Sequence, residues 1–287
     1  MKPPPFEYHD PTTIPEAISL LGSYENARLL AGGQSLMPML NMRYVFPDHL
    51  IDLNKVGGLD YINTDADGVE IGGMTRQRDI EFSDELAEHC PLLSEAIRHV
   101  GHIQTRNRGT MGGSLAHLDP AAEIPMVCAA MDARIRAQGP NGERTIPIAE
   151  FALGFMTTAL APDEMLVSVS LPGWASGHGA GFQEFGRRHG DFAIASAAAL
   201  IEVGGDGKIA RASLTISGVG PVPVRIEEAE EGLVGEAGSD GVFDTAAEAC
   251  GELEALDDIH APASYRQHLA KVLAKRALAQ AWERAAS

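Results

Sequence analysis

The 287-residue chain carries 22 Lys and Arg against 40 Asp and Glu, a formal net charge of −18, with 45% hydrophobic and 22% charged residues. This is the composition of a soluble globular protein long enough for about two domains, and its acidity argues against a nucleic-acid backbone as partner, since non-specific affinity there comes from Lys and Arg. No apolar run approaches the roughly 18 residues of a membrane span, and Met1-Lys2-Pro3-Pro4-Pro5 puts proline where a secretory signal has its apolar segment, so a cytoplasmic protein is expected.

Thr13-Ile14-Pro15-Glu16 is a capping box with proline just inside the helix start, and Ile18, Leu20 and Leu21 carry that helix to Gly22. Arg28 to Ala31 reads as a short buried strand broken at Gly32-Gly33, and His49 to Leu53 as another. Strands around Tyr61 to Asn63 and Val69 to Ile71 flank Asp65-Ala66-Asp67-Gly68, a turn with Gly where positive φ is needed. A helical stretch from Ser83 to Val100 must restart or kink at Pro91. Ala121 to Met131 has helical composition, a hairpin with Pro140-Asn141-Gly142 at its tip follows, and Met165 to Leu171 is a strand ended by Pro172.

The breaker-rich stretch from Leu171 to Gly179 is the natural boundary, dividing the chain into residues 1–175 and 178–287. Beyond it, Ile209 to Val219 alternates like a strand and Glu227-Glu228-Ala229-Glu230-Glu231 reads as the solvated face of a helix. The last element places Tyr265, Leu269, Val272, Leu273, Leu278 and Trp282 on one helical stripe. The elements describe a mixed α+β protein.

Cys90, Cys128 and Cys250 are far apart and form no C-x-x-C. A thiolate zinc site or a four-Cys iron–sulfur cluster therefore cannot be built from this chain, and the three read as reduced core thiols. His99 and His102 have ligand-like spacing without an acidic companion, and no metal is expected. The motifs H-E-x-x-H, G-x-S-x-G, G-x-x-x-x-G-K-[ST] and G-x-G-x-x-G do not occur.

The chemical signal lies in Ala31-Gly32-Gly33-Gln34-Ser35-Leu36 and Thr110-Met111-Gly112-Gly113-Ser114-Leu115-Ala116. Consecutive glycines permit positive φ and close ligand approach, and successive N–H groups can converge on an anion. Ser35 and Ser114 each add a hydroxyl two residues past the first Gly. Two such loops facing each other would hold both phosphates of a dinucleotide without Lys or Arg. Each pair alone is also compatible with an ordinary tight turn.

These two segments, with Arg106-Asn107-Arg108-Gly109 before the second and Gly190-Asp191-Phe192-Ala193 later, resemble in order and spacing the FAD-binding medium subunit of the three-subunit molybdenum hydroxylases. That family includes carbon monoxide dehydrogenase and quinoline 2-oxidoreductase and corresponds to the flavin domain of xanthine dehydrogenase. The resemblance spans the whole chain. It implies a two-subdomain FAD-binding fold of the vanillyl-alcohol-oxidase type, its subdomains near residues 1–55 and 56–175, followed by a small α+β flavoprotein domain. It also implies that residues Ala31, Gly32, Gly33, Gln34, Ser35 and Leu36, with Thr110, Gly112, Gly113 and Ser114, grip the FAD diphosphate.

Further roles follow from the same resemblance. Glu123 falls where the family places an acid that contacts FAD, with Asp119 as the second choice beside its reading as a turn residue before Pro120. His102, Ile103 and Thr105 line the isoalloxazine, and Leu166 matches an apolar residue near the flavin or adenine. Asp191-Phe192 matches an Asp–aromatic step approaching the ring system, whereas Arg187-Arg188 reads as a solvated face. Gln34 stands where relatives often have His. The implied function is electron transfer from 2Fe-2S clusters to an external acceptor. Clusters and molybdenum cofactor then sit on an iron–sulfur small subunit and a molybdenum-cofactor large subunit, in a dimer of heterotrimers. The alternatives are a self-sufficient FAD-dependent oxidase or dehydrogenase and a non-catalytic nucleotide-binding assembly subunit.

Overall fold

The computed structural model describes residues 1–65 and 67–286. The first 55 residues build a small parallel sheet. Strand β1 (Glu7–His9) leads to helix α1 (Ile14–Ser23), strand β2 (Ala27–Leu30), the short helix α2 (Leu36–Asn41) and strand β3 (His49–Asp52). The sheet order is β1-β3-β2, with Glu7 opposite His49 and Leu30 opposite Asp52. Thr13 caps α1 by accepting from the Glu16 amide at 3.3 Å, as the capping box predicts. The Glu16 carboxylate turns one residue further back, to the Thr12 amide at 2.8 Å.

The next stretch forms strands β4 (Ile62–Asp65) and β5 (Gly68–Gly72), then six short helices: α3 (Gln77–Glu81), α4 (Asp84–His89), α5 (Pro91–Ala96), α6 (Ile103–Arg106), α7 (Met111–His117) and α8 (Glu123–Ala130). Strands β6 (Arg134–Gly139) and β7 (Gly142–Pro147) are the predicted hairpin. Helix α9 (Ile148–Phe151) and the small pair β8 (Ala152–Gly154) and β9 (Thr157–Thr158) precede strand β10 (Met165–Pro172). These strands make a five-stranded antiparallel sheet, β4-β5-β10-β6-β7. Gly68 has φ +141°, as the predicted turn requires; Ala66 of that turn lies outside the described residues. Pro91 restarts the helix, so one predicted stretch becomes α4 and α5.

The last third is an antiparallel sheet of β11 (Gly179–Phe185), β12 (Ala195–Val203), β13 (Ile209–Ser217) and β14 (Val224–Arg225), in that order, with helices α10 (Glu227–Leu233), α11 (Asp240–Glu248) and α12 (Ala263–Ala285). The stripe expected on α12 is corrected. Leu269, Leu273 and Leu278 are buried, but half of the eight buried residues are Ala270, Ala274, Ala277 and Ala281, while Tyr265 is exposed and Val272 half-buried. Small residues are needed because the backbones meet: a Cβ at Gly179 would lie 1.7 Å from the Ala281 carbonyl oxygen, and one at Gly181 2.1 Å from that of Ala277.

The acidic run on α10 is also corrected at one position. Glu230 is buried, accepts from the Leu214 amide at 2.8 Å and pairs with Arg225, whose Nε lies 2.6 Å from its carboxylate. A carboxylate survives there because its oxygens are paired on both sides.

The two parts share one core. Phe182, Ala198 and Leu200 pack with Leu92, Ile97 and Val127, and Ser213 and Ser217 hydroxyls donate to the Ala130 and Pro120 carbonyls at 2.8 Å. All three cysteines are buried and free. Among the described residues no helix is long and apolar enough to cross a membrane.

Candidate functional site

The segment between β2 and α2 carries the first glycine pair. Gly33 has φ +72°, which turns the chain toward α2. The Met37 amide donates to the Gly33 carbonyl at 3.2 Å and closes the turn. Among the described residues, the amide hydrogens of Gly33, Gln34 and Ser35 have no acceptor within the chain. Gln34 is exposed and its side-chain amide folds back to the Gly32 carbonyl at 3.3 Å. Three consecutive uncommitted donors beside a left-handed residue are the pattern from which anion-binding concavities are built.

The second glycine pair does not form a loop, which corrects the picture of two matching nests. Thr110 is the N-cap of α7, and Gly112-Gly113 sit in its first turn. Their amides are already spent. Met111 donates to the Thr75 carbonyl at 3.0 Å, Gly112 to the Gly73 carbonyl at 2.9 Å and Gly113 to the Thr110 hydroxyl at 3.0 Å. These glycines serve by omission of a side chain. A Cβ at Gly112 would lie 2.7 Å from the Gly73 carbonyl oxygen and 3.0 Å from Leu166 Cδ2, so Leu166 is buried beneath this turn. A Cβ at Gly113 would reach the Thr110 hydroxyl at 2.7 Å and the Ala31 methyl at 3.4 Å.

The two segments nevertheless meet. A Cβ at Gly32 would lie 2.2 Å from the Arg108 carbonyl oxygen and 2.9 Å from Gly109 Cα, so only glycine allows this backbone-on-backbone approach. Asn54 and Arg76, two residues without any sequence signal, tie the seam. Asn54 donates to the Ala31 carbonyl at 3.1 Å. The Arg76 guanidinium donates to Asn54 Oδ1 and, at 2.5 Å, to the Arg108 carbonyl. Burial and the neighbouring Arg108 charge lower the Arg76 pKa. The uncommitted donors around the seam are the Gly33 to Ser35 amides and, on α7, the half-buried Ser114, whose hydroxyl makes no bond within the described chain.

Arg106 of the same motif anchors this stretch from behind. It is buried, forms a two-pronged bond to Glu81 at 2.8 and 2.9 Å and donates to the Val100 carbonyl at 3.1 Å. That fixes α6, with His102 as its N-cap and both His102 and Ile103 exposed. The third motif docks here. Gly190, at φ +82°, lies under the His102 imidazole, where a Cβ would sit 2.3 Å from Cε1. His189 stacks parallel to His102 at 6.2 Å between centroids. Beyond Gly190, Asp191 faces Arg187 at 3.8 Å and Phe192 is 73% exposed. Arg187 and Arg188 are exposed, as read.

Asp119 acts as a turn residue, its carboxylate accepting from the Ala121 amide at 2.9 Å. Glu123 opens α8 and is buried; burial, reinforced by Asp119, raises its carboxyl to about 7. Its neighbour is Glu184 on β11, which the sequence left unmarked. Burial, with Glu123 adding to it, raises Glu184 to about 8, and one of its oxygens has no partner among the described residues. His99 lies 3.8 Å from the other oxygen, and burial lowers its imidazole pKa. At neutral pH Glu184 is thus mostly protonated and Glu123 about half so.

Comparison with known proteins identifies the two parts of the chain. The model of the FAD binding domain in molybdopterin dehydrogenase matches residues 4–174, and that of the CO dehydrogenase flavoprotein C-terminal domain matches residues 180–281. The chain is 40% identical to the alpha subunit of the 6-hydroxypseudooxynicotine dehydrogenase complex of Paenarthrobacter nicotinovorans, over 99% of this chain and 97% of that one. Among solved structures it superposes on carbon monoxide dehydrogenase from Hydrogenophaga pseudoflava with a TM-score of 0.96 and 38% identity, covering 99% of each chain. Quinoline 2-oxidoreductase from Pseudomonas putida 86 gives a TM-score of 0.96 at 35% identity over 100% of both chains.

Proposed function

Because the chain belongs to the family of FAD-binding medium subunits of the molybdenum hydroxylases, we propose that it is the electron relay of a three-subunit enzyme. In this reading it takes electrons from 2Fe-2S clusters on a small subunit and passes them to an external acceptor, while substrate is oxidised on a molybdenum-bearing large subunit. The observation that carries it is the seam at Gly32, where backbone contact holds the segment with three uncommitted amide donors against the stretch that leads into α7 and its unbonded Ser114 hydroxyl. The donor set suits a diphosphate, which takes several N–H bonds and needs no counter-cation when they are pre-aimed.

Gly33, Gln34, Ser35 and Ser114 would hold the FAD diphosphate, with Ala31, Gly32, Leu36, Thr110, Gly112 and Gly113 shaping the cradle. His102, Ile103, Asp191 and Phe192 would border the ring system, since Gly190 brings the second part of the chain against α6 there. When bound, FAD supplies the exchange between one-electron and two-electron carriers. The chain's own residues position it, exclude water and keep protonated carboxyls at Glu123 and Glu184. Asp119 and Leu166 support from behind, through the α8 turn and the packing under α7. The three buried cysteines leave cluster ligation to partners. The exposed Met42, Tyr44 and Phe46 after α2 suit a subunit contact. A doubled heterotrimer completes the proposed assembly.

The experiment is purification of the native complex with flavin and metal analysis. FAD, iron and molybdenum should co-elute with this chain. A colourless chain that refuses FAD, or a yellow one that oxidises an organic substrate with no metal-bearing partner, overturns the reading.

A further inference from the structure

Far from the glycine seam, the N-terminal parallel sheet gathers three metal-ligating side chains. Alternate strand residues share a face, so Glu7 and His9 on β1 project together, and the register sets His49 of β3 beside Glu7. His9 Nε2 lies 3.1 Å from His49 Nδ1, and that nitrogen lies 3.5 Å from Glu7 Oε2. All three donor atoms fall within 4.8 Å of one another. We propose that Glu7, His9 and His49 bind one divalent transition-metal ion of the zinc class, which staples edge strand β1 to β3.

The distances fit the chemistry. Ligand atoms at about 2.0–2.2 Å from a tetrahedral centre sit roughly 3.3–3.6 Å apart along its edges, close to both observed spacings. Two imidazole nitrogens this near can at best share one proton, and a divalent ion in its place engages both and draws in the carboxylate. Tyr24 clamps the rings, stacking on His49 at 4.0 Å and on His9 at 4.8 Å between centroids, so little side-chain freedom remains to be lost on binding.

Two imidazoles and one carboxylate select borderline ions such as zinc, nickel or copper over the all-oxygen preference of calcium and magnesium. His49 is mostly buried while Glu7 is exposed, so the ion enters from the Glu7 side and completes its shell with water. The net charge of −18 favours cation capture. Strand β1 has three residues and lies at the sheet edge; such a strand gains most from a cross-link. Nothing in this site depends on the flavin reading.

Equilibrium dialysis of the full chain against Zn²⁺, with metal analysis, tests it. The parent should retain one equivalent more than the His9→Ala/His49→Ala double variant. Each single His variant should bind at least about tenfold more weakly, because losing a ligand costs no less than losing a residue that only orients one. Glu7→Gln should weaken binding by a smaller factor, and Zn²⁺ should slow proteolytic cleavage before α1 in the parent only. Equal retention by parent and double variant overturns the proposal. Should the variants misfold, Cu²⁺ electron paramagnetic resonance of the unmodified, oxidised protein decides: hyperfine coupling to two imidazole nitrogens supports the site, and coupling to one or none overturns it.

Discussion

Gly32→Ala adds one methyl at the seam on which the flavin site is argued. That methyl would lie 2.2 Å from the Arg108 carbonyl oxygen, 2.8 Å from its carbon and 2.9 Å from Gly109 Cα. An ordinary carbon–oxygen contact is about 3.3 Å, so the two backbones must part by about 1 Å, and no side chain can rotate to absorb it. Overpacking of this kind costs about 1–3 kcal/mol, too little to unfold a domain of ordinary stability. Its effect on the diphosphate should be larger. The aim of the Gly33, Gln34 and Ser35 amides against the α7 side of the cradle would shift, and misaligning two charge-assisted bonds at about 1.5–3 kcal/mol each weakens FAD binding by about 10² to 10⁴. Fluorescence titration of apoprotein with FAD measures this, with urea unfolding as the check on folding. Gly57→Ala, where a Cβ meets nothing within 4 Å, is the control. A folded Gly32→Ala protein that binds FAD within about threefold of the parent refutes the seam as the cofactor cradle.

Arg76→Ala removes the guanidinium that spans Asn54 and the Arg108 carbonyl. It should weaken FAD by about tenfold at the net worth of such bonds, with Arg76→Lys failing to restore it because an ammonium lacks the planar fork; an unchanged FAD titration refutes the tie. Glu123 and Glu184 have carboxyls raised from 4.5 to about 7 and about 8, so the folded state holds protons that the unfolded chain has released. Their stabilising contribution is full below about 4.5, falls as pH rises through 7 and 8, and is then gone. Glu184→Gln should therefore flatten the decline in urea-unfolding free energy between pH 5 and 8.5 and leave the variant about 1–3 kcal/mol more stable than the parent at pH 8.5; an undiminished slope refutes the buried pair.

What the chain revealed before folding was local. The Gly68 turn, the Pro140-Asn141-Gly142 hairpin and the Pro91 break each depend on a few adjacent residues, and each stands in the structure. The second glycine pair was misjudged because glycine doublets suggest a loop, although Thr110 three residues before Gly113 already marked an N-cap. The α12 face was misjudged because hydrophobic periodicity weights large side chains. At Gly179 and Gly181 close backbone approach makes alanine the fitting residue. Glu184, Asn54 and the His9–His49 pair could not be read at all, since each takes its role from a partner 23 to 61 residues away, and the burial of Glu230 depends on the Leu214 amide 16 residues before it.

An acidic chain that holds a dianionic diphosphate needs an account of its charge, and the structure supplies one. Near neutrality Glu184 is mostly protonated and Glu123 only partly ionised, so the pair adds less negative potential than two exposed carboxylates would. Two of the cations around the seam are spent on the protein itself, Arg76 on a carbonyl and an amide oxygen and Arg106 on Glu81 and the Val100 carbonyl, while the exposed Arg108 sets its charge beside Arg76. Their hydrogen bonds stiffen the two backbones at the seam. In the proposed reading, affinity for the cofactor would rest on amides and a hydroxyl that do not titrate, and the flavin's electrostatics would be set by groups at its ring, such as His102, His189 and Asp191, which come from both parts of the chain and meet at Gly190.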